Sequence, residues 1–93
     1  MHYTYILLCV DDVRERRKFY IGSTDNLNKR IVAHKNKEVQ TTKSFDQIEL
    51  IYFEGCRNKT DARKRELQLK TGFGRGYINR RIKNYFREID TRE

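Results

Sequence analysis

The sequence predicts a single small domain of the α/β (α+β) class, a small sheet packed against helices in the order β-β-α-β-α-α. Three observations predict it. Two β-branched and aromatic runs near the N-terminus lie close enough in sequence to form a hairpin. Later segments carry helix caps and helical spacing of apolar residues. The 93 residues are 37% hydrophobic, enough for one core and not for two. Strands interleaved with helices exclude a helical bundle and a barrel.

The elements follow in order. YTYILLCV (residues 3–10) has the composition of a buried strand. Asp11 and Asp12 begin a turn, and RERRK (residues 14–18) leads back into a second strand over residues 18–23. Gly22 is expected to end that strand, where a residue without Cβ helps the chain turn. Thr24 or Asp25 is expected to cap the first helix, whose inward side is Leu27, Ile31 and Val32 or Lys35. Residues 36–47 read as a polar loop, and IELIYFE (residues 48–54) as the third strand. Asn58 caps a second helix, with Asp61 at capping-box spacing, and that helix stops at Thr71-Gly72. Gly74 and Gly76 are expected to frame a turn into a last helix built on Ile78, Ile82, Tyr85, Phe86 and Ile89.

Charge narrows the function. Lys and Arg number 21 against 13 Asp and Glu, a net +8 spread over several elements. Distributed positive charge on a small fold favours a polyanion, because each neutralised phosphate releases counterions. Nucleic acid is the expected partner. A membrane surface is disfavoured because the basic runs lack one long apolar face, and no apolar run reaches the ~20 residues of a membrane span. The N-terminus lacks a secretory pattern, which predicts a cytoplasmic protein. Cys9 and Cys56 have no metal-like spacing and are expected to be buried apolar fillers.

Five polar residues stand out. Arg30 and His34 are four apart and project from one helix face. Tyr20 lies at the end of the strand leading into that helix, Tyr5 on the neighbouring strand, and Glu66 in the middle of the second helix. An arginine fork matches two phosphate oxygens and stabilises charge in a transition state. One carboxylate suffices for a hard divalent cation that keeps most of its waters. A phenol needs nearby positive charge to act near neutral pH. Each residue also has an ordinary structural reading. Tyr5 suits a core strand, Arg30 a basic surface, and Glu66 an ion pair with Arg63 or Lys70. Only the ordered set is specific.

That ordered set resembles the GIY-YIG nuclease family, in particular small single-domain members related to the N-terminal catalytic domain of excinuclease. YTYIL (residues 3–7) stands at the first signature, and YIG (residues 20–22) matches the second. TDNLNKRIVAHK is similar to the helix with the catalytic arginine and a histidine one turn later, and TDARKRELQLK to the helix with the metal-binding glutamate. Tyr3-Thr4 replaces the Gly-Ile of the first signature, and Asn79 is a candidate for an asparagine found in the last helix of many members. The resemblance covers residues 3–82. It implies a central three-stranded antiparallel sheet flanked by helices and metal-dependent hydrolysis of phosphodiesters, with Mg²⁺ (or Mn²⁺) as the ion. It further implies that Tyr5 and Tyr20 position or activate the nucleophile, Arg30 stabilises the phosphate, His34 assists, and Glu66 holds the metal. Repair, mobile-element and restriction proteins all use such a domain.

DNA is the expected substrate ahead of RNA, with Lys29, Arg30, Lys35, Arg63, Asn79 and Arg80 as expected nucleic-acid contacts. A competing reading is a non-catalytic or partner-dependent binding module, because nuclease domains of this kind often rely on a targeting protein or an appended recognition domain. Under the enzymatic reading, Tyr5, Tyr20, Arg30, His34 and Glu66 should line one concave, electropositive surface.

Overall fold

The computed structural model describes residues 1–90. Its elements are β1 (His2–Asp11), β2 (Arg16–Thr24), α1 (Leu27–Lys35), β3 (Gln47–Cys56), α2 (Lys59–Leu69), α3 (Gly72–Arg81) and α4 (Lys83–Asp90). The strands form one antiparallel sheet in the order β2-β1-β3, the expected hairpin with the third strand added on the other side of β1. β1 is central, which explains its unbroken burial over residues 4–9: both of its faces are covered.

Strand alternation assigns the faces. Tyr5, Leu7 and Cys9 form one core cluster with Phe45, against which Tyr20, Leu27 and Ile31 pack. Ile6 lies in the other cluster with Leu69 and Ile78, joined by Ile21, Tyr77 and Phe86. The first face is covered by α1 and the segment after it, the second by α2, α3 and α4. On the second face the Thr4 hydroxyl donates to the Ala62 carbonyl (2.9 Å) and seats α2 on β1.

Several sequence expectations are corrected. β2 continues to Thr24, and no glycine has positive φ, so Gly22 is not a turn residue. The cap of α1 is Asn26, whose side chain accepts from the Lys29 N–H, with Thr24 bracing the Asn26 amide one step earlier. Val32 and Lys35 face solvent, and His34 is the buried residue of α1. The stretch expected to be a polar loop buries Val39, Thr42 and Phe45 at every third position, and Lys37 donates to the Phe45 carbonyl. Cys9 is buried as expected, whereas Cys56 is only half-buried, and both are free thiols.

Gly74 and Gly76 lie inside α3, which Thr71 caps by accepting from the Gly74 N–H. The reason for Gly74 is close packing on the end of α2, since a Cβ there would sit 2.1 Å from the Leu69 carbonyl oxygen. The single last helix is two: the chain leaves helical geometry at Ile82 (φ −125°, ψ 36°). Beyond that bend the Phe86 ring packs edge-on against Phe19 of β2, with centroids 5.6 Å apart. Tertiary packing here overrides a continuous helical pattern. Asn58 caps α2 as read from the sequence, accepting from the Thr60 and Asp61 amides.

The contrast between two glycines of α3 is testable. Gly74→Ala forces a methyl group into backbone and should lower the unfolding free energy by about 2–3 kcal/mol. A Cβ at Gly72 would meet nothing within 4 Å, so Gly72→Ala should leave stability unchanged or raise it by up to about 1 kcal/mol. Urea denaturation of the two variants measures both.

Candidate active site

Tyr5 sits on the central strand directly opposite Gly22 of β2. A Cβ on residue 22 would lie 2.6 Å from the Tyr5 hydroxyl oxygen and 2.7 Å from Cζ, so the glycine of the YIG triplet is there to admit the phenol. α1 then supplies two side chains one turn apart. Arg30 donates from Nε to Tyr5 Oη at 3.3 Å, and His34 Nε2 lies 2.9 Å from the same oxygen. Tyr20 completes the group, its ring centroid 4.9 Å from the imidazole and 6.1 Å from the Tyr5 ring.

Tyr5 and His34 are fully buried. This corrects the expectation that all five residues line one surface. Arg30 lines a cavity of about 310 Å³ with Ser23, Thr24, Lys59 and Ala62. Tyr20 lines a neighbouring concavity with Lys18, Lys70 and Arg75. β2 is an edge strand of the sheet, and these two hollows border it. The buried pair stands behind them.

Burial governs the protonation states. It pushes the Tyr5 hydroxyl up to about 12, with Tyr20 adding to the rise and Arg30 opposing it. Burial and the adjacent Arg30 charge push His34 down to about 4, so its imidazole is neutral at pH 7.

Glu66 stands on the other face. Its Oε1 accepts from Ser23 Oγ (2.7 Å), and Ser23 alternates with Gly22 along β2. Its Oε2 accepts from Arg63 Nη1 and Lys70 Nζ, each at 2.6 Å, so both ion pairs of the ordinary structural reading exist. Burial disfavours the charge on Glu66, and the bonds from Lys70, Ser23 and Arg63 outweigh it, holding the carboxyl below its usual range. The hollows bring partners of the two groups side by side, Ser23 with Arg30 and Lys70 with Tyr20, while the buried Glu66 carboxyl itself lines neither.

A divalent cation fits this donor set on one condition. Glu66 is an ionised oxygen ligand with three of its roughly four acceptor positions filled. Arg63 and Lys70 are 58% and 46% exposed, so they can swing into water and release Oε2. Among the described residues no three His, Cys, Asp or Glu side chains gather. The fit is therefore to a hydrated ion on one carboxylate, the binding mode typical of Mg²⁺.

The other expected contacts divide. Lys29 borders a third hollow with Arg30 and Asp25, Lys35 is exposed on α1, and Arg63 is committed to Glu66. Asn79 lines an apolar cavity with Phe19 and Phe86, separate from the hollow around Arg30. Arg80 is exposed on the same helix. Two residues were missed by sequence reasoning. Thr42 is fully buried with Oγ1 2.8 Å from His34 Nδ1, and Ser23 holds Glu66. The signal for Thr42 was its place midway between Val39 and Phe45 in a stretch otherwise polar; for Ser23 it was strand alternation after Gly22.

Strand tyrosines, a helical arginine and a second-helix glutamate thus stand on one small three-stranded α+β domain of the nuclease-type class. The chain belongs to the GIY-YIG catalytic domain family, which it matches over residues 1–79. It is similar to UPF0213 proteins. One from Clostridium perfringens is 41% identical over 71 residues, 75% of this chain and 71% of the relative. One from Staphylococcus epidermidis is 35% identical over 71 residues, 75% of this chain and 80% of the relative. A third, from Pediococcus pentosaceus, is 38% identical over 69 residues, 73% of this chain and 67% of the relative. No solved structure matches significantly. No helix among the described residues is long and apolar enough to cross a membrane.

His34 generates a pH prediction. Its folded value, about 4, lies below the ordinary 6.5, so the unfolded chain takes up the proton first as pH falls. The stability that this difference contributes is complete above pH 6.5 and is lost progressively toward pH 4. The urea midpoint of the parent should therefore fall between pH 7 and pH 5, and that of His34→Gln should fall less.

Proposed function

We propose that the protein is an endonuclease that hydrolyses DNA phosphodiester bonds in the hollows along β2, with one divalent ion, Mg²⁺ or Mn²⁺, held by Glu66. The observation that carries this reading is the convergence of Arg30 and His34 on the Tyr5 hydroxyl, behind a half-buried Tyr20.

Arg30 engages Tyr5 through Nε and lines the cavity beside Ser23. Its Nη edge is the element for gripping a phosphate and balancing the charge that builds on its oxygens. Tyr20 borders the neighbouring hollow and orients or deprotonates the attacking water. Tyr5 braces this group from below, its position set by Gly22 and its oxygen by two nitrogens of α1. Glu66 is kept ionised and ready for a cation by Ser23, Arg63 and Lys70. A bound ion there supplies Lewis-acid polarisation of a phosphoryl or leaving oxygen. Lys18, Lys70, Arg75 and Lys59 around the hollows attract the flanking phosphates. DNA is favoured over RNA as substrate, in the cytoplasm, with a targeting protein as an additional partner.

A nicking assay on plasmid, branched and single-stranded DNA with Mg²⁺ or Mn²⁺ tests the proposal. Arg30→Ala and Glu66→Ala should each reduce nicking by about 100-fold or more. Removing Glu66 frees Arg63 and Lys70 to reach water, so the fold should survive, as circular dichroism would verify. Parent-level cutting by Glu66→Ala contradicts the assignment. Salt-sensitive DNA binding without cleavage under any divalent ion would instead establish a binding module, and faster cutting of a matched RNA would reassign the substrate.

A further inference from the structure

The apolar hollow between Phe19 and Phe86 has nothing to identify an occupant. The Asp11–Arg16 pair and the Arg65–Glu54 pair close on themselves as structural bonds. The buried contact between His34 and the segment after α1 sets the direction of the hydrogen bonds that His34 makes.

Thr42 Oγ1 is fully buried and has His34 Nδ1, at 2.8 Å, as its one side-chain hydrogen-bond partner among the described residues. A neutral imidazole has one N–H and one acceptor nitrogen. If Nδ1 carried the proton, it would donate to Thr42, and the threonine's own O–H would be a buried donor without an acceptor. Leaving a buried donor unmade costs about 1–3 kcal/mol. If Nδ1 is the acceptor, Thr42 O–H donates to it and the imidazole proton sits on Nε2. Nε2 is the nitrogen 2.9 Å from Tyr5 Oη.

We infer that Thr42 is a positioning residue that fixes His34 as the Nε2–H tautomer, so that His34 is a hydrogen-bond donor to Tyr5 and not a base that takes its proton. Tyr5 Oη then receives two N–H bonds, from Arg30 Nε and His34 Nε2. Its own proton is turned away from α1 and toward the Tyr20 side chain beside it, so Tyr5 keeps an acceptor where Thr42 would have had none; of the two tyrosines it is Tyr20 that borders the groove. The neutral state of His34 at pH 7 agrees with this polarity. The inference rests on the nuclease reading for its consequence, whereas the tautomer is a property of the folded chain by itself.

Nitrogen NMR of the full chain, labelled with ¹⁵N in the histidine ring, reads the tautomer without any cleavage assay. His34 should show an unprotonated, hydrogen-bonded Nδ1 and a protonated Nε2 at pH 7. Thr42→Val should move the Nδ1 resonance, and Thr42→Ser, which restores the hydroxyl, should return it. A proton on Nδ1 in the parent, or an Nδ1 resonance unmoved in Thr42→Val, overturns the inference. If the parent nicks DNA, Thr42→Val should be slowed about tenfold or more and Thr42→Ser should recover most of the rate, with midpoints of unfolding recorded beside the rates. Undiminished nicking by Thr42→Val overturns the positioning role even if the tautomer is as inferred. If the parent does not nick, the NMR outcome still decides the tautomer, so the two readings fail separately.

Discussion

The hydroxyl of Tyr5 is enclosed on every side, and the arrangement of the site follows from that enclosure. Below it the central strand has no freedom, being paired on both edges and buried over residues 4–9. Across the ladder, only a residue without Cβ can stand opposite the phenol, which makes Gly22 a consequence of Tyr5. Above it, Arg30 and His34 reach one oxygen because they are a helical turn apart on α1. Asn26 fixes where that turn begins. The segment after α1 closes the enclosure, with Val39 and Phe45 anchoring Thr42 against the imidazole.

Electrostatics divides the site into a neutral interior and a charged rim. Desolvation keeps the Tyr5 phenol protonated and His34 uncharged, so the buried pair carries no net charge beside Arg30. Glu66 remains charged because three donors meet it, two of them cations exposed enough to leave. The carboxylate is buried while its two cations reach solvent, so the charge it keeps depends on those three bonds. Not every basic residue serves the rim. Arg16 lies over the Phe45 ring while pairing with Asp11, and Arg65 lies over Tyr77 while pairing with Glu54. Part of the positive charge is thus committed to holding the fold.

The sheet, its antiparallel hairpin and the α2 cap were legible because each rests on local signals: β-branched runs, a turn, and Asn58 ahead of a helical pattern. That Arg30 and His34 share a face was legible from helix spacing, and the grouping of Tyr5 and Tyr20 with them only through the resemblance to the family. What was not legible depends on contacts distant in sequence. Gly22 and Gly74 read as turn residues, because nothing local reveals a phenol or the end of α2 pressing against them. Beyond the break at Ile82, Phe86 packs on Phe19, a contact distant in sequence. Thr42 sat in a stretch whose polarity hid a three-residue apolar spacing. The ordinary alternative for Glu66, an ion pair with Arg63 or Lys70, was legible from helical spacing and both pairs exist, but its place across the sheet from Tyr5 required the strand register.

Tyr5→Phe isolates the part the Tyr5 hydroxyl plays in the chemistry, since it removes one oxygen and keeps the ring that fills the core. This variant should retain the parent's fold and DNA affinity while single-turnover nicking with Mg²⁺ falls by about 100-fold or more. Nicking at the parent's rate would contradict this, leaving the Tyr5 hydroxyl as a structural bond with no part in the chemistry.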